Sequence, residues 1–205
     1  MSTLSTSPTL STPFPRQVAI FASGSGSNAQ RIMEHFAAHP RVRVGLVLTN
    51  NPNAGVLERA ARWGVPSRVF SRAEFYQSDD VLQWLQERRV SFVVLAGFLW
   101  LTPPNLVAAF PNRIVNIHPA LLPRFGGKGM YGMRVHEAVV AAGEKESGIT
   151  VHYVNERYDE GRILFQATCS VAPGDTPADV ARKVQELEHR YFPGVIEKAV
   201  LEENP

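Results

Sequence analysis

Asn116 and His118 stand two residues apart at the end of a short β-rich run, Arg113-Ile-Val-Asn-Ile117, and strand alternation turns both side chains to one face. Pro119 withholds the next ladder N–H, so the strand is predicted to stop there, with an amide and an imidazole at its carboxyl end. In open α/β sheets ligands gather outside that end, which gives the pair access to a reacting carbonyl. An Asn-x-His pair alone equally describes a loop histidine beside a turn asparagine. Asp159 shifts the balance, because it lies in Tyr158-Asp-Glu-Gly161, a turn signal between two β-rich runs, 148–155 and 162–170. A carboxylate held against one ring nitrogen fixes the tautomer and favours the protonated imidazole, leaving the other nitrogen to donate to developing negative charge. With the Asn116 amide as a second donor, the chemistry is that of an oxyanion site. No Ser or Cys occurs in 116–123 and no Gly-x-Ser-x-Gly elbow in the chain, so the substrate is expected to bring the nucleophile.

A second constellation sits near the start. Gln17-Val-Ala-Ile-Phe-Ala22 reads as a buried strand, Ser23-Gly-Ser-Gly-Ser-Asn28 as a glycine loop, and 29–38 as a helix. Gly24 and Gly26 let backbone N–H groups approach an anion, and the helix N-terminus behind them adds favourable partial charge. Gly24-x-Gly26-x-x-Ala29 also satisfies the loose dinucleotide fingerprint. The next strand, 42–48, ends in Thr49-Asn50-Asn51-Pro52 without the acid that would hold an NAD ribose, so a phosphomonoester is the predicted anion.

The elements that must position these groups alternate. A helix over 56–63 is closed by Gly64, and a short strand follows over 67–70. Ser71-Arg-Ala-Glu74 has the capping-box pattern, and a helix spans about 80–89. Phe92-Val-Val-Leu-Ala96 reads as the central buried strand. It is followed by Gly97-Phe-Leu-Trp-Leu101, an apolar wall that serves either as ordinary core or as a ligand surface at a strand end. Pro103 and Pro104 open a helix carrying Leu106 and Val107. Phe125 to Gly132 is too glycine-rich for a helix or strand and is either a lid or a plain connection before a helix over 134–142. Thr176-Pro-Ala-Asp179 caps a last helix that reaches Val200, with a disturbance expected at Pro193. Glu188 on that helix has, by itself, the standing of a solvated residue. This βα alternation predicts an α/β fold with an open, mostly parallel twisted sheet and helices on both faces.

Composition bounds the rest. A chain of 205 residues with 44% apolar content can bury a full core, and its length suits one domain over 16–205 behind a disordered Ser/Thr/Pro tail over 1–15. The net charge of +2 comes from interspersed Lys/Arg and Asp/Glu with no basic block, so nucleic acid is not an expected partner. The tail has neither a signal-peptide core nor a membrane span, and no basic residue precedes Arg16, which points to a cytoplasmic protein without membrane contact. Cys169, the single cysteine, fits a reducing compartment and is expected to be a buried strand residue. The six histidines are scattered without a His-Glu-x-x-His pattern, so no metal is expected.

Taken in order, Ser23-Gly-Ser-Gly-Ser-Asn28, Val94-Leu-Ala-Gly-Phe98, Asn116-Ile-His-Pro-Ala-Leu-Leu-Pro123, Gly148-Ile-Thr-Val-His152 and Tyr158-Asp-Glu-Gly161 make the chain resemble phosphoribosylglycinamide formyltransferases, the folate-dependent family of purine synthesis. The resemblance runs from Gln17 to Val200 and implies a Rossmann-like formyltransferase fold. It implies Asn116, His118 and Asp159 as the catalytic trio. It implies Gly26, Ser27 and Asn28, together with Gln185, Glu186, Leu187 and Glu188, as the site for phosphoribosylglycinamide. It further implies Leu99, Trp100, Leu101 and Thr102, with Asn116 and with Asn155, Glu156, Arg157, Tyr158 and Asp159, as the folate site. The co-substrate implied is 10-formyltetrahydrofolate, with small molecules as the only ligands and a monomer or homodimer as the assembly. The amine of phosphoribosylglycinamide then supplies the nucleophile that the protein lacks. Trp100 stands where many members carry a basic residue, and the loop 125–132 differs from the Pro-Gly-containing version of many relatives. Pro119 and the end at Pro205 are expected to separate the chain from methionyl-tRNA formyltransferases. A formyltetrahydrofolate deformylase-like hydrolase and a non-catalytic nucleotide-binding module are the alternatives.

Overall fold

The computed structural model describes residues 15–202. The expected N-terminal tail, Pro15 apart, lies outside the described residues. The chain runs β1 (Arg16–Phe21), α1 (Ser27–Phe36), β2 (Val42–Thr49), α2 (Gly55–Arg62), β3 (Ser67–Val69), α3 (Arg72–Tyr76), α4 (Asp80–Glu87), β4 (Val90–Leu95) and α5 (Pro104–Ala109). It continues through β5 (Ile114–His118), α6 (Met133–Ala141), β6 (Glu146–Tyr153), β7 (Ile163–Ser170) and α7 (Pro177–Glu202). One seven-stranded sheet has the order β3-β2-β1-β4-β5-β6-β7. The first five strands in that order pair in parallel, and β6 pairs antiparallel with both β5 and β7. This is the open, mostly parallel sheet that the alternation predicts, with β4 at its centre.

The apolar runs of β1 and β4 are continuous because both faces are covered. Val18, Ile20, Phe92 and Val94 point into the core beneath α1 and α7. Ala19, Phe21, Val93 and Leu95 point into the opposite core, against Phe70, Phe75, Leu85 and Leu106. Period-two alternation thus feeds two hydrophobic layers from one run of sequence. Strand order reverses between β1 and β4, so the loops after these two strands diverge and leave a crevice at their carboxyl ends.

Local chemistry sets the boundaries. The Ser71 hydroxyl accepts from Glu74 N–H at 3.2 Å, and Glu74 accepts from Ser71 N–H at 2.7 Å, completing the expected capping box. Thr176 and Asp179 do the same for α7, at 3.2 and 3.0 Å. Gly64, at φ +64°, closes α2 in the left-handed conformation. Two expectations are corrected. Pro193 does not break α7, which runs unbroken through it from Pro177 to Glu202. Phe192, Pro193 and Ile196 are buried, and that packing offsets the backbone hydrogen bond a mid-helix proline forgoes. Cys169 lies on the edge strand β7 and is only half-buried, because no further strand covers it.

Candidate active site

Asn116 and His118 occupy the carboxyl-terminal part of β5, where alternation puts both on the face of Ile114. Across the antiparallel pair they meet His152 and Thr150 of β6. Thr150 also anchors the chain just beyond β5: its hydroxyl donates to Ala120 O at 2.7 Å and accepts from Leu122 N–H at 3.0 Å. Asp159 comes from the turn between β6 and β7, at φ +57°, a conformation that aspartate tolerates better than most residues. The expected trio is therefore assembled. Asp159 Oδ2 lies 3.4 Å from His118 Nδ1, and Oδ1 lies 3.4 Å from both Asn116 Nδ2 and His152 Nε2.

The electrostatics differ from the sequence expectation. His118 is 3% exposed, and burial pushes its imidazole below the ordinary histidine range, more than Asp159 and the Phe125 carbonyl raise it. Its Nε2–H donates to Phe125 O at 2.8 Å. Burial also pushes Asp159 upward, but His152, His118 and the Gly127 N–H at 2.9 Å outweigh it and hold the carboxyl below its usual range. Asp159 thus stays ionised, and burial disfavours the charged form of His118 although its two ring nitrogens both face acceptors, Phe125 O and Asp159 Oδ2. The expected rise in the His118 pKa is not found, because the favourable charge is smaller than the cost of desolvating an imidazolium. The unfolded state therefore binds more protons than the native one just below the normal histidine pKa of about 6.5, so His118 contributes stability above that value that is lost as pH falls toward its depressed folded pKa. Following the His118 ring resonances by NMR should give a midpoint below about 6.5. A midpoint above it would mean that the ion pair dominates.

Phe125 to Gly132 supplies more than a connection. Its Phe125 carbonyl and Gly127 N–H touch His118 and Asp159, and Gly127 to Gly132 line the cleft. A Cβ on Gly126 would come within 2.4 Å of Leu122 Cδ2 and 3.3 Å of Asp159 Cβ, so a side chain there would require the end of Leu122 to shift beneath Asp159.

The cleft measures about 970 Å³ and joins the trio to the glycine loop. Gly26, at φ +75°, precedes α1, which has no side-chain cap and no acid in its first turn, so its N-terminus is left available to an anion. Asn28 is 9% exposed and donates to Glu188 at 2.8 Å, while its buried Oδ1 has no partner among the described residues. Burial pushes the Glu188 carboxyl up, only partly opposed by Asn28. Glu188 is thus a half-buried cleft acid and no solvated helix residue. Gln185 reaches Ser27 Oγ at 3.4 Å. Ser23 braces three strand ends: its hydroxyl donates to Asn50 Oδ1 at 2.7 Å and accepts Leu99 N–H at 3.1 Å. Asn50, read from sequence only as the absence of an acid, is part of that brace.

The wall after β4 divides. Phe98 packs with Phe21, Phe70 and Phe75 as core. Leu99, Trp100, Leu101 and Thr102 line the cleft, with Trp100 stacked on Tyr76 at 5.9 Å. Arg157, Tyr158 and Asp159 line it too, but Asn155 and Glu156 do not, and Asn155 instead accepts from Arg157 N–H at 2.9 Å. On α7, Glu186 is exposed beside Arg182 and Leu187 packs on the core, so neither joins Gln185 and Glu188 in the cleft. Helical spacing explains this, since 186 and 187 lie on other faces than 185 and 188. Sequence reading missed His152, Arg182 and His136, all of which line the cleft. His136 is 6% exposed, its Nδ1 has no partner among the described residues, and burial and His118 push its pKa down. The antiparallel register that sets His152 opposite Asn116 was the missing signal. Among the described residues no group of three or more His, Cys, Asp or Glu could hold a metal ion.

A doubly wound sheet with an Asn-His-Asp cluster beside a glycine loop defines a class, and residues 16–196 match the formyl transferase family, to which the chain belongs. Within it, the chain is 44% identical over 190 residues to the chloroplastic phosphoribosylglycinamide formyltransferase of Arabidopsis thaliana, an alignment covering 90% of this chain. It spans 65% of that relative's length. It is 34% identical to the phosphoribosylglycinamide formyltransferase of Haemophilus influenzae, over 88% of this chain and 85% of the relative. The crystal structure of phosphoribosylglycinamide formyltransferase from Bacillus halodurans superposes with a TM-score of 0.82 at 38% identity, over 91% of this chain and 96% of that one.

Proposed function

We propose that the protein transfers a formyl group from 10-formyltetrahydrofolate to the amine of 5'-phosphoribosylglycinamide in purine synthesis. The observation that carries this reading is one continuous cleft with the glycine loop at one part, the trio at another and an apolar wall at a third. The phosphate is assigned to the α1 N-terminus with Gly26, Ser27 and Asn28, and the sugar to Glu188 and the unpartnered Asn28 Oδ1. The pterin is assigned to Leu99, Trp100 and Leu101, with the buried, unpartnered hydroxyl of Thr102 available to a polar edge. In the reaction the amine nitrogen bonds to the formyl carbon, the carbon–nitrogen bond to the folate breaks, and the amine's proton ends on the departing folate nitrogen. The His118 Nε2–H, released from Phe125 O, stabilises the tetrahedral oxyanion, and Asp159 orients the ring. Holding both substrates in one geometry can supply on the order of 7 to 11 kcal/mol, which suits a site without a covalent catalyst.

Mixing the protein with phosphoribosylglycinamide and 10-formyltetrahydrofolate while following folate absorbance tests the proposal. Turnover that needs both substrates supports transfer. Turnover with the folate alone identifies a hydrolase, and none at all a binding module. Asn28→Ala and Glu188→Ala should raise KM for the ribonucleotide far more than for the folate, whereas bulky replacements at Leu99 or Leu101 should do the reverse. Equal KM changes for both substrates in Glu188→Ala would remove α7 from the ribonucleotide site. Among the described residues no helix is long and apolar enough to cross a membrane. The cytoplasm is the compartment we assign, on the single cysteine, although the Arabidopsis relative is named chloroplastic.

A further inference from the structure

The carbonyls of the glycine loop are held one after another. Ser23 O accepts from Asn51 Nδ2 at 3.3 Å, Gly24 O from Val56 N–H at 3.2 Å, Ser25 O from Arg59 Nε–H at 2.8 Å and Gly26 O from Gln30 N–H at 2.9 Å. Ser23 to Asn28 line the cleft, whereas Asn51, Val56, Arg59 and Gln30 do not. In a trans peptide the N–H points opposite to the C=O before it, so fixing these oxygens turns the N–H groups of Ser25, Gly26 and Ser27 toward the cleft. Those of Ser25 and Gly26 have no partner among the described residues. Val56 and Gln30 donate from the main chain, but the Ser25 oxygen depends, among the described residues, on the Arg59 side chain alone. Arg59 is itself held at its other edge, where Nη1–H donates to Gln30 Oε1. Glycine does not fix this peptide unaided. A half-turn of the Ser25–Gly26 peptide changes only ψ of Ser25 and φ of Gly26, now +75°, and glycine accepts φ of either sign. The turned peptide would put the Ser25 oxygen where the Gly26 N–H stands, and an oxygen there repels an anion.

We propose that Arg59 is a positioning residue for the ribonucleotide, whose Nε–H holds the Ser25 carbonyl out of the anion site so that Gly26 presents its N–H to the phosphate. Resting on the phosphate assignment made above, this gives α2, none of whose residues lines the cleft, a part in ribonucleotide binding. Losing Arg59 removes no contact to the ligand. It lowers the fraction of loops ready to bind, and the apparent Kd rises by the inverse of that fraction. Once the phosphate is bound it holds the peptide in place, so kcat is retained.

Calorimetric titration with phosphoribosylglycinamide, without folate, reads the effect independently of turnover, on variants shown by thermal unfolding to be folded. Arg59→Met keeps the length of the side chain and removes the donor, and should raise Kd about tenfold, the low end for a charge-assisted bond because Ser25 is exposed. In the full reaction its kcat and its KM for the folate should stay within about twofold of wild type. Arg59→Gln places Nε2 where Nε stood, so it donates to Ser25 O without the charge and should restore most of the affinity. Arg62→Met removes the same charge from the exposed face of the same helix and should leave Kd unchanged. In ¹⁵N-labelled wild-type protein the Gly26 amide proton should move downfield as the ribonucleotide is added. Wild-type affinity in Arg59→Met, a loss confined to kcat, or an unmoved Gly26 signal overturns the proposal. So does Arg59→Gln no better than Arg59→Met, or an equal loss in Arg62→Met, since either makes charge and not the bond responsible. Wild-type protein that binds the ribonucleotide but transfers no formyl group refutes the proposed function, and the Kd comparison then still decides the role of Arg59. Wild-type protein that does not bind it overturns both.

Discussion

His118→Ala is expected to lose about a hundredfold to a thousandfold in kcat while keeping its fold, because it deletes the donor aimed at the developing oxyanion. Asp159→Asn should cost less, as it removes an orienting charge and keeps a side chain of similar shape. Because the two side chains act as a unit, the double variant should lose much less than the product of the two single losses. Circular dichroism and thermal unfolding establish that each variant is folded, and single-turnover formation of tetrahydrofolate measures the chemical step. Near-wild-type turnover in folded His118→Ala would sink the mechanism.

Gly26→Ala should be the most damaging single change in the ribonucleotide half. Gly26 holds φ +75°, and a Cβ there would lie 2.6 Å from Val56 Cβ and 2.7 Å from Val56 Cα. Left-handed strain and overpacking each cost about 1 to 3 kcal/mol, so about 2 to 6 kcal/mol should be lost in all. That is a large part of the roughly 5 to 15 kcal/mol that stabilises a typical domain. Relief of the clash by loop movement would also pull the N–H groups of α1 away from the phosphate, raising KM for the ribonucleotide. Gly24→Ala is the control, because a Cβ there meets nothing within 4 Å and the residue has no positive φ. Thermal unfolding of the two variants side by side decides the matter. Equal melting temperatures would show that α2 yields freely and that Gly26 is not fixed by packing.

The sequence by itself determined the elements and much of the cleft. Period-two runs at β1 and β4, the Ser71 and Thr176 caps and the Pro119 stop are local effects of backbone chemistry, readable within a few residues. The spacing of Asn116 and His118 fixed their common face for the same reason. Only the tertiary structure decided the features that depend on residues distant in the chain. Which α7 residues reach the cleft depends on how that helix lies on the sheet, which separates Gln185 and Glu188 from Glu186 and Leu187. The sign of the His118 shift is a contest between burial and a carboxylate 41 positions away, and spacing carries no measure of burial. The meeting of Asn116, His152 and Asp159 needs the β5–β6 register and the turn at Asp159 together. Short-range sterics and periodicity are written in neighbouring residues, whereas desolvation and hydrogen-bond partners across strands exist only once the chain has closed on itself.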